Sequence, residues 1–168
     1  MIGPARAREL AELWLANSEP RRWDHVCGVG VKAESISKIL PLEDNYDRDV
    51  LVAAGYVHDI GYASGLQRTG LHQLDGARFI RVLGDHRLAC LVAHHSEARF
   101  EVGLRGYEEE LSEYPPRTYK KSMMPWFIAI SPLVLTASRW RLKIVLTRFT
   151  SAMARETYLV LCVWLNHI

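Results

Sequence analysis

Aspartate, glycine and cysteine are each scarce in ways that constrain the chain before any motif is read. No Asp follows Asp85, no Gly follows Gly106, and Glu156 is the one acidic residue beyond residue 113. Cys27, Cys90 and Cys162 are three cysteines, an odd number with no paired spacing. That excludes a disulfide framework and points to a reducing, cytoplasmic setting with Cys27 and Cys90 as small core residues. Residues 1–20 form an amphipathic helix charged throughout, without the unbroken apolar stretch of a secretory signal. A run of the roughly 20 apolar residues that a spanning helix needs is also missing. Residues 122–138 are 17 residues without a charge, but Pro125 and Pro132 interrupt them. Membrane insertion is therefore not expected.

The net charge of +2 conceals a split. Residues 1–113 hold 13 Lys+Arg against 18 Asp+Glu, whereas residues 114–168 hold 8 against one. A basic tail invites a nucleic-acid or membrane reading. Its basic residues are scattered among apolar ones, however, so nucleic acid is not an expected partner.

What is present is helix. The chain has 168 residues, 49% hydrophobic and 24% charged, enough for one soluble domain with a core of its own. Residues 4–17 place Leu10, Leu13 and Trp14 on one face. Residues 20–40 open with Pro20 near the first turn and carry Val26, Val29, Ala33, Ile36 and Leu40 at helical spacing. Residues 41–47 (PLEDNYD) read as a loop. Residues 48–58 form a short helix that aligns Leu51, Ala54 and His58 and stops at Gly61. A loop over 62–71 leads to helices over 72–83 and 86–96, separated by Gly84, and residues 106–114 form a solvated helix. No run alternates long enough to predict a sheet, although residues 139–165 are rich in β-branched and aromatic residues. The expected fold is all-α.

Histidines and one aspartate punctuate these helices. His25 lies on the inner side of its helix with Val29, Lys32 and Ile36. His58 ends a helix, and Asp59 follows where that helix terminates. His72 starts the next helix in line with Gly76, Ile80 and Leu83. His95 aligns with Leu88 and with Leu91 or Val92, and His94 stands beside it. Adjacent residues on a continuous helix point about 100° apart, so His58 and Asp59 can serve one centre only at a helix end. Any one of these histidines alone reads most simply as a core or surface residue. Several imidazoles on core-facing sides of successive helices are costly to bury without a partner. A divalent cation is the partner that imidazole and carboxylate jointly suit.

The strings RRWDHVCGV, GYVHDIGYA, GLHQLDGARF and LVAHHSEA resemble the H…HD…H…H(H)…D succession of the HD superfamily. The likeness is strongest to branches with a bimetallic site, such as the diadenosine tetraphosphatase-like and HD-GYP-like groups, and covers about residues 5–113. It implies a helical phosphohydrolase domain over residues 1–116, with residues 117–168 as an atypical tail. It further implies that His25, His58 and Asp59 hold one divalent metal (Mn, Fe, Mg, Zn or Co), and that His72 with His94 or His95 holds a second. His58 and Asp59 would be central to catalysis, a metal-activated water would attack phosphorus, and a small phosphoester or nucleotide would be the substrate. Arg21, Arg22 and Arg68 become candidates for phosphate contact, though each alone reads as a solvated surface arginine. Tyr62 stands where many relatives carry a lysine.

The family's succession closes with an aspartate on a later helix, commonly within Tyr-x-Asp, and this chain has none. The alternative is thus a catalytically defective HD domain that binds metal or nucleotide. The codons beneath residues 123–129 (Met-Met-Pro-Trp-Phe-Ile-Ala) offer a cause. Read from the third base of each codon they force Asp, Ala, then Leu, Met or Val, then Val, then Tyr or His, then Cys, Ser or Arg. Asp is permitted next, over Ala129 and Ile130. On this reading translation leaves the ancestral frame near residues 116–118, which accounts together for the lost Asp and Gly and the basic excess. The gene's nucleotide sequence is expected to show that third-base frame free of stop codons, with an Asp codon spanning Ala129–Ile130. A stop codon there, or another residue at that triplet, sinks the idea.

Overall fold

The computed structural model describes residues 1–38 and 45–115 (of Glu97, only the backbone) and the backbone of two strands, Leu142–Phe149 and Thr157–Trp164. Contacts divide the chain into two units, Met1–Val134 and Leu135–Ile168.

The described part of the first unit is all-α. Helix α1 (Pro4–Leu15) has Pro4 in its first turn, where the missing N–H costs nothing. It buries Ala7, Leu10, Ala11 and Leu15, a stripe at helical spacing. Leu13, expected on that face, is 75% exposed. It lies two residues from both Ala11 and Leu15, hence about 200° around the helix from each. Helix α2 (Pro20–Ser37) buries Val26, Val29, Ala33 and Ile36 as expected, while Lys32 is exposed rather than inward. Leu40 and residues 41–44 lie outside the described residues, as do the uncharged run over 122–138 and its prolines.

Helix α3 (Asn45–Val57) begins three residues earlier than the periodicity predicts, so Asn45, Tyr46 and Asp47 are helix rather than loop. Residues 50–57 are buried without exception, the condition of a helix packed on all sides. It packs against α1 and α2, and against α5 on its other side. Close approach to α2 depends on small residues: a Cβ on Gly55 would lie 3.1 Å from both Ala33 Cβ and Gly30 Cα. After α3 come short 3-10 helices at Ile60–Tyr62, which runs into the stretch read as loop, and at Ser64–Leu66, which lies within it.

Helices α4 (His72–Val82) and α5 (His86–His94) form a hairpin through Gly84 at φ +87, a backbone conformation glycine adopts without strain. Leu83, expected inward, is 45% exposed. Asp85 caps α5 by accepting from Leu88 N at 3.1 Å and also accepts from Ile2 N at 2.7 Å, tying the start of the chain to this hairpin. Helix α6 (Ala98–Arg105) escapes the sequence pattern because only Ala98 and Val102 are buried while Phe100 and Leu104 face solvent. Helix α7 (Glu108–Ser112) occupies the centre of the solvated helix expected over 106–114 and buries Leu111.

In the second unit, strands β1 (Leu142–Phe149) and β2 (Thr157–Trp164) pair antiparallel, from Leu142 opposite Trp164 to Phe149 opposite Thr157. This corrects the expectation that no run makes a sheet. Both strands fall in the β-branched and aromatic stretch, and neither alternates cleanly enough to register as a half-buried strand. Among the described residues no helix is long and apolar enough to cross a membrane.

Gly61, expected as a helix stop, serves packing instead. It lies in the first 3-10 helix, buried against the start of α4, and an added Cβ would sit 2.6 Å from Gly76 N and against the His72 carbonyl. Both are backbone and cannot swing aside. Gly61→Ala is expected to destabilise the protein by roughly 1–3 kcal/mol, the range for overpacking, with urea denaturation as the measure. An unchanged midpoint would contradict this packing.

Candidate metal centre

Four chain segments deliver the centre, and three of them do so at a helix end. His25 projects from the first half of α2. His58 follows the last residue of α3, its N–H still bonded to Ala54 O at 3.0 Å. Asp59 then leaves the helix at φ −96, ψ 8. That break lets neighbours that would diverge by about 100° on a continuous helix turn toward one point. His72 is the first residue of α4, and His95 is the extended cap of α5 at φ −66, ψ 159, followed by Ser96 at φ +53.

Two rings are fixed from behind in the same way. His58 Nδ1 lies 3.0 Å from Gly55 O, and His95 Nδ1 lies 2.6 Å from Val92 O. Donation from Nδ1 to a carbonyl leaves Nε2 of a neutral ring as a lone pair. His58 Nε2 is 3.2 Å from His25 Nε2, and His95 Nε2 is 3.1 Å from His72 Nε2. Asp59 Oδ1 stands 3.5 Å from Nε2 of His58, His72 and His95, and Oδ2 stands 3.8 Å from His25 Nε2. Without a cation the two histidine pairs are satisfied only if His25 and His72 donate from Nε2. His25 Nδ1 is then a buried atom with no hydrogen-bond partner.

Burial dominates the electrostatics. Desolvation pushes His58 down to about 4 and His72 down to about 3, and lowers His25 as well, outweighing the opposing pull of Asp59. These rings are held neutral, the form that coordinates a metal. Desolvation acts to raise Asp59, but His58, His95 and His72 around it win and hold its carboxyl well below the ordinary range. Arg22 Nη1 donates to Asp59 Oδ2 at 3.1 Å.

The donor set fits divalent cations. His25, His58 and Asp59 form one group whose ligand atoms lie within 4.8 Å of one another, and Asp59, His72 and His95 form a second. Imidazole nitrogens sharing a carboxylate suit Zn, Fe, Mn or Co. Asp59 belongs to both groups, which the one-metal assignment of Asp59 from sequence did not foresee. Between the alternatives left open by the His94-His95 pair, the structure brings His95 into the centre. His94 Nε2 instead meets Tyr114 O at 2.6 Å, outside both groups. Of the three arginines, Arg22 reaches the centre, whereas Arg21 and Arg68 are exposed.

Some supporting contacts, and the role of Asp75, were not read from the sequence. Arg22 also lies over the Tyr62 ring, 3.9 Å from its centroid, and Tyr62 stacks on His72 at 4.1 Å. Asp75, buried in the first turn of α4, accepts from Thr69 N at 3.0 Å and from Gly70 N at 3.1 Å, shaping the loop that delivers His72. An acid in the first helical turn with Thr-Gly just before it was the available signal.

The HD domain family model matches residues 22–117, more than half of the chain. The chain belongs to the HD-domain family. Neither a curated protein nor a solved structure matches it. The match contains every histidine and the aspartate of the centre, together with Arg22 and Tyr62, and it ends close to where acid and glycine run out.

An acid-sensitive HD domain follows from the neutral histidines. In the unfolded chain they titrate near 6.5, so between pH 6.5 and about 4 the unfolded state binds protons that folded His58 refuses. Stability falls as pH drops through that window, by at most about 1.4 kcal/mol per unit and per histidine. Asp59, with its depressed value, contributes stability that is lost only below the ordinary carboxylate range. The chelator-treated protein is expected to melt several degrees lower at pH 5 than at pH 7. A flat melting temperature over that interval would contradict neutral burial.

Proposed function

We propose that this HD domain is a metal-dependent phosphohydrolase acting on a small phosphoester or nucleotide. The observation that carries the reading is one ionised carboxylate, Asp59, shared by two groups of imidazoles, of which His25, His58 and His72 are held neutral by burial. His25, His58 and Asp59 are the proposed ligands of one divalent cation, and Asp59, His72 and His95 those of a second. Such cations supply an activated water and neutralise phosphoryl oxygens. Gly55 O and Val92 O hold the rings of His58 and His95 in orientation. Arg22, at the edge of the centre, is the proposed phosphate contact. The proposed domain covers residues 1–116, with a cytoplasmic location and no nucleic-acid partner.

A second reading has its own support. Both groups depend on Asp59 for carboxylate, and no Asp follows Asp85 in the chain. A centre with so little anionic charge fits a module that binds metal or nucleotide without turning it over.

The full-length protein, loaded in turn with Mn, Fe, Mg, Zn or Co and offered a panel of phosphoesters and nucleotides, separates the two. The hydrolase reading expects metal-dependent phosphate release that falls at least about 100-fold in His58→Ala and Asp59→Ala. Metal-dependent ligand binding with no phosphate release would establish the binding module instead.

A further inference from the structure

Tyr62 has both faces in use. The guanidinium carbon of Arg22 lies 3.9 Å from the ring centroid, and the His72 imidazole is stacked at 4.1 Å with 18° between planes. Two groups that near cannot share one face, so the ring is sandwiched between a cation and a proposed metal ligand. Arg22 in turn touches Asp59 through one nitrogen, and its side chain is 41% exposed. Among the described residues Asp59 is the only hydrogen-bond acceptor that Arg22 meets. A guanidinium carries five N–H donors in a planar fork, so most of its donors are uncommitted at the rim of the centre.

Charge decides what happens to such a group. A divalent cation placed on Asp59 takes over the carboxylate that Arg22 holds and repels the guanidinium. Held by Asp59 alone, Arg22 would be released to solvent. An aromatic face under the guanidinium is a second grip that the metal does not remove. We infer that Tyr62 is a positioning residue that keeps Arg22 at the metal-loaded centre as a forked anchor for the phosphoryl oxygens of the substrate. This inference rests on the phosphohydrolase reading and extends it: the substrate must present a phosphate with at least two free oxygens to the rim. The fork then pairs with two of them. The role requires the ring and not the hydroxyl of Tyr62.

Inorganic phosphate, titrated calorimetrically into Mn-loaded full-length protein with metal content measured in parallel, tests this directly. Tyr62→Phe keeps both faces and is expected to bind phosphate within about twofold of wild type. Tyr62→Leu is expected to weaken binding about 3- to 30-fold, the loss of one cation–π contact, at unchanged metal content. Arg22→Ala is expected to weaken it at least as much, and the Tyr62→Leu/Arg22→Ala double variant no further than Arg22→Ala alone. Equal losses in Tyr62→Phe and Tyr62→Leu, additive losses in the double variant, or loss of metal in Tyr62→Leu would each overturn the inference. If the wild-type protein binds phosphate and Tyr62→Leu binds it equally, this inference alone fails. If the wild-type protein binds no phosphate and releases none from esters, the functional reading fails and takes this one with it.

Discussion

One buried carboxylate surrounded by imidazole lone pairs is the constraint on which the rest of the site depends. Asp59 is kept ionised although it is 4% exposed, and an ionised group this far from water requires compensation. Arg22 supplies part of it at 3.1 Å. The histidines supply the remainder only through whichever Nε2 hydrogens they carry. His58, held neutral by burial, faces Gly55 O through Nδ1, so its inward nitrogen is an acceptor. A centre with more acceptors than donors is one that a cation completes.

The backbone is bent to make that arrangement. The break after α3 allows His58 and Asp59 to converge, Gly61 lets the following turn lie against the first residue of α4, and the extended His95 closes α5. Each residue of the centre except His25 is set by a helix terminus, where the chain is free of the 3.6-residue period. The central helix α3 and its glycine contacts with α2 bring His25 and His58 within 3.2 Å. Stability and site geometry are therefore drawn from the same few close approaches. Substitutions at Gly30 or Gly55, neither of which belongs to the donor groups, act on the centre through the spacing of these helices.

The charge inventory of the centre connects it to the odd tail. Among the described residues Asp59 is the only carboxylate in either group, so any divalent cation held there would leave a positive excess that an anionic substrate would reduce. The chain from residue 114 onward contains a single acid, Glu156, and the family match stops at residue 117. The antiparallel pair β1–β2 lies wholly beyond that point and contains no acidic residue. The helical domain and the last residues thus obey different compositional rules.

Helical period and helix-ending signals in the sequence determined the all-α character of the described first unit and the core faces of α2 and α3, and they singled out histidines and an aspartate of which the fold brings His25, His58, Asp59, His72 and His95 together. Those features are local, because burial at positions i, i+3 and i+4 and a glycine after a helix leave their mark within a few residues. Local patterns failed where burial was sparse, as along α6, where charge preceded an early helix start at Asn45, and where a strand does not alternate apolar with polar residues. Only the tertiary structure decided that His95 rather than His94 faces the centre, since the last residue of a helix and the one just beyond it have no preferred side until Tyr114 O and Val92 O claim them. It alone decided that Asp59 is shared between two groups and that Tyr62 lies between Arg22 and His72. Those are relations between residues far apart in the chain, 37 residues for Arg22 and Asp59, and no periodicity along a chain encodes the distance between two side chains that far apart.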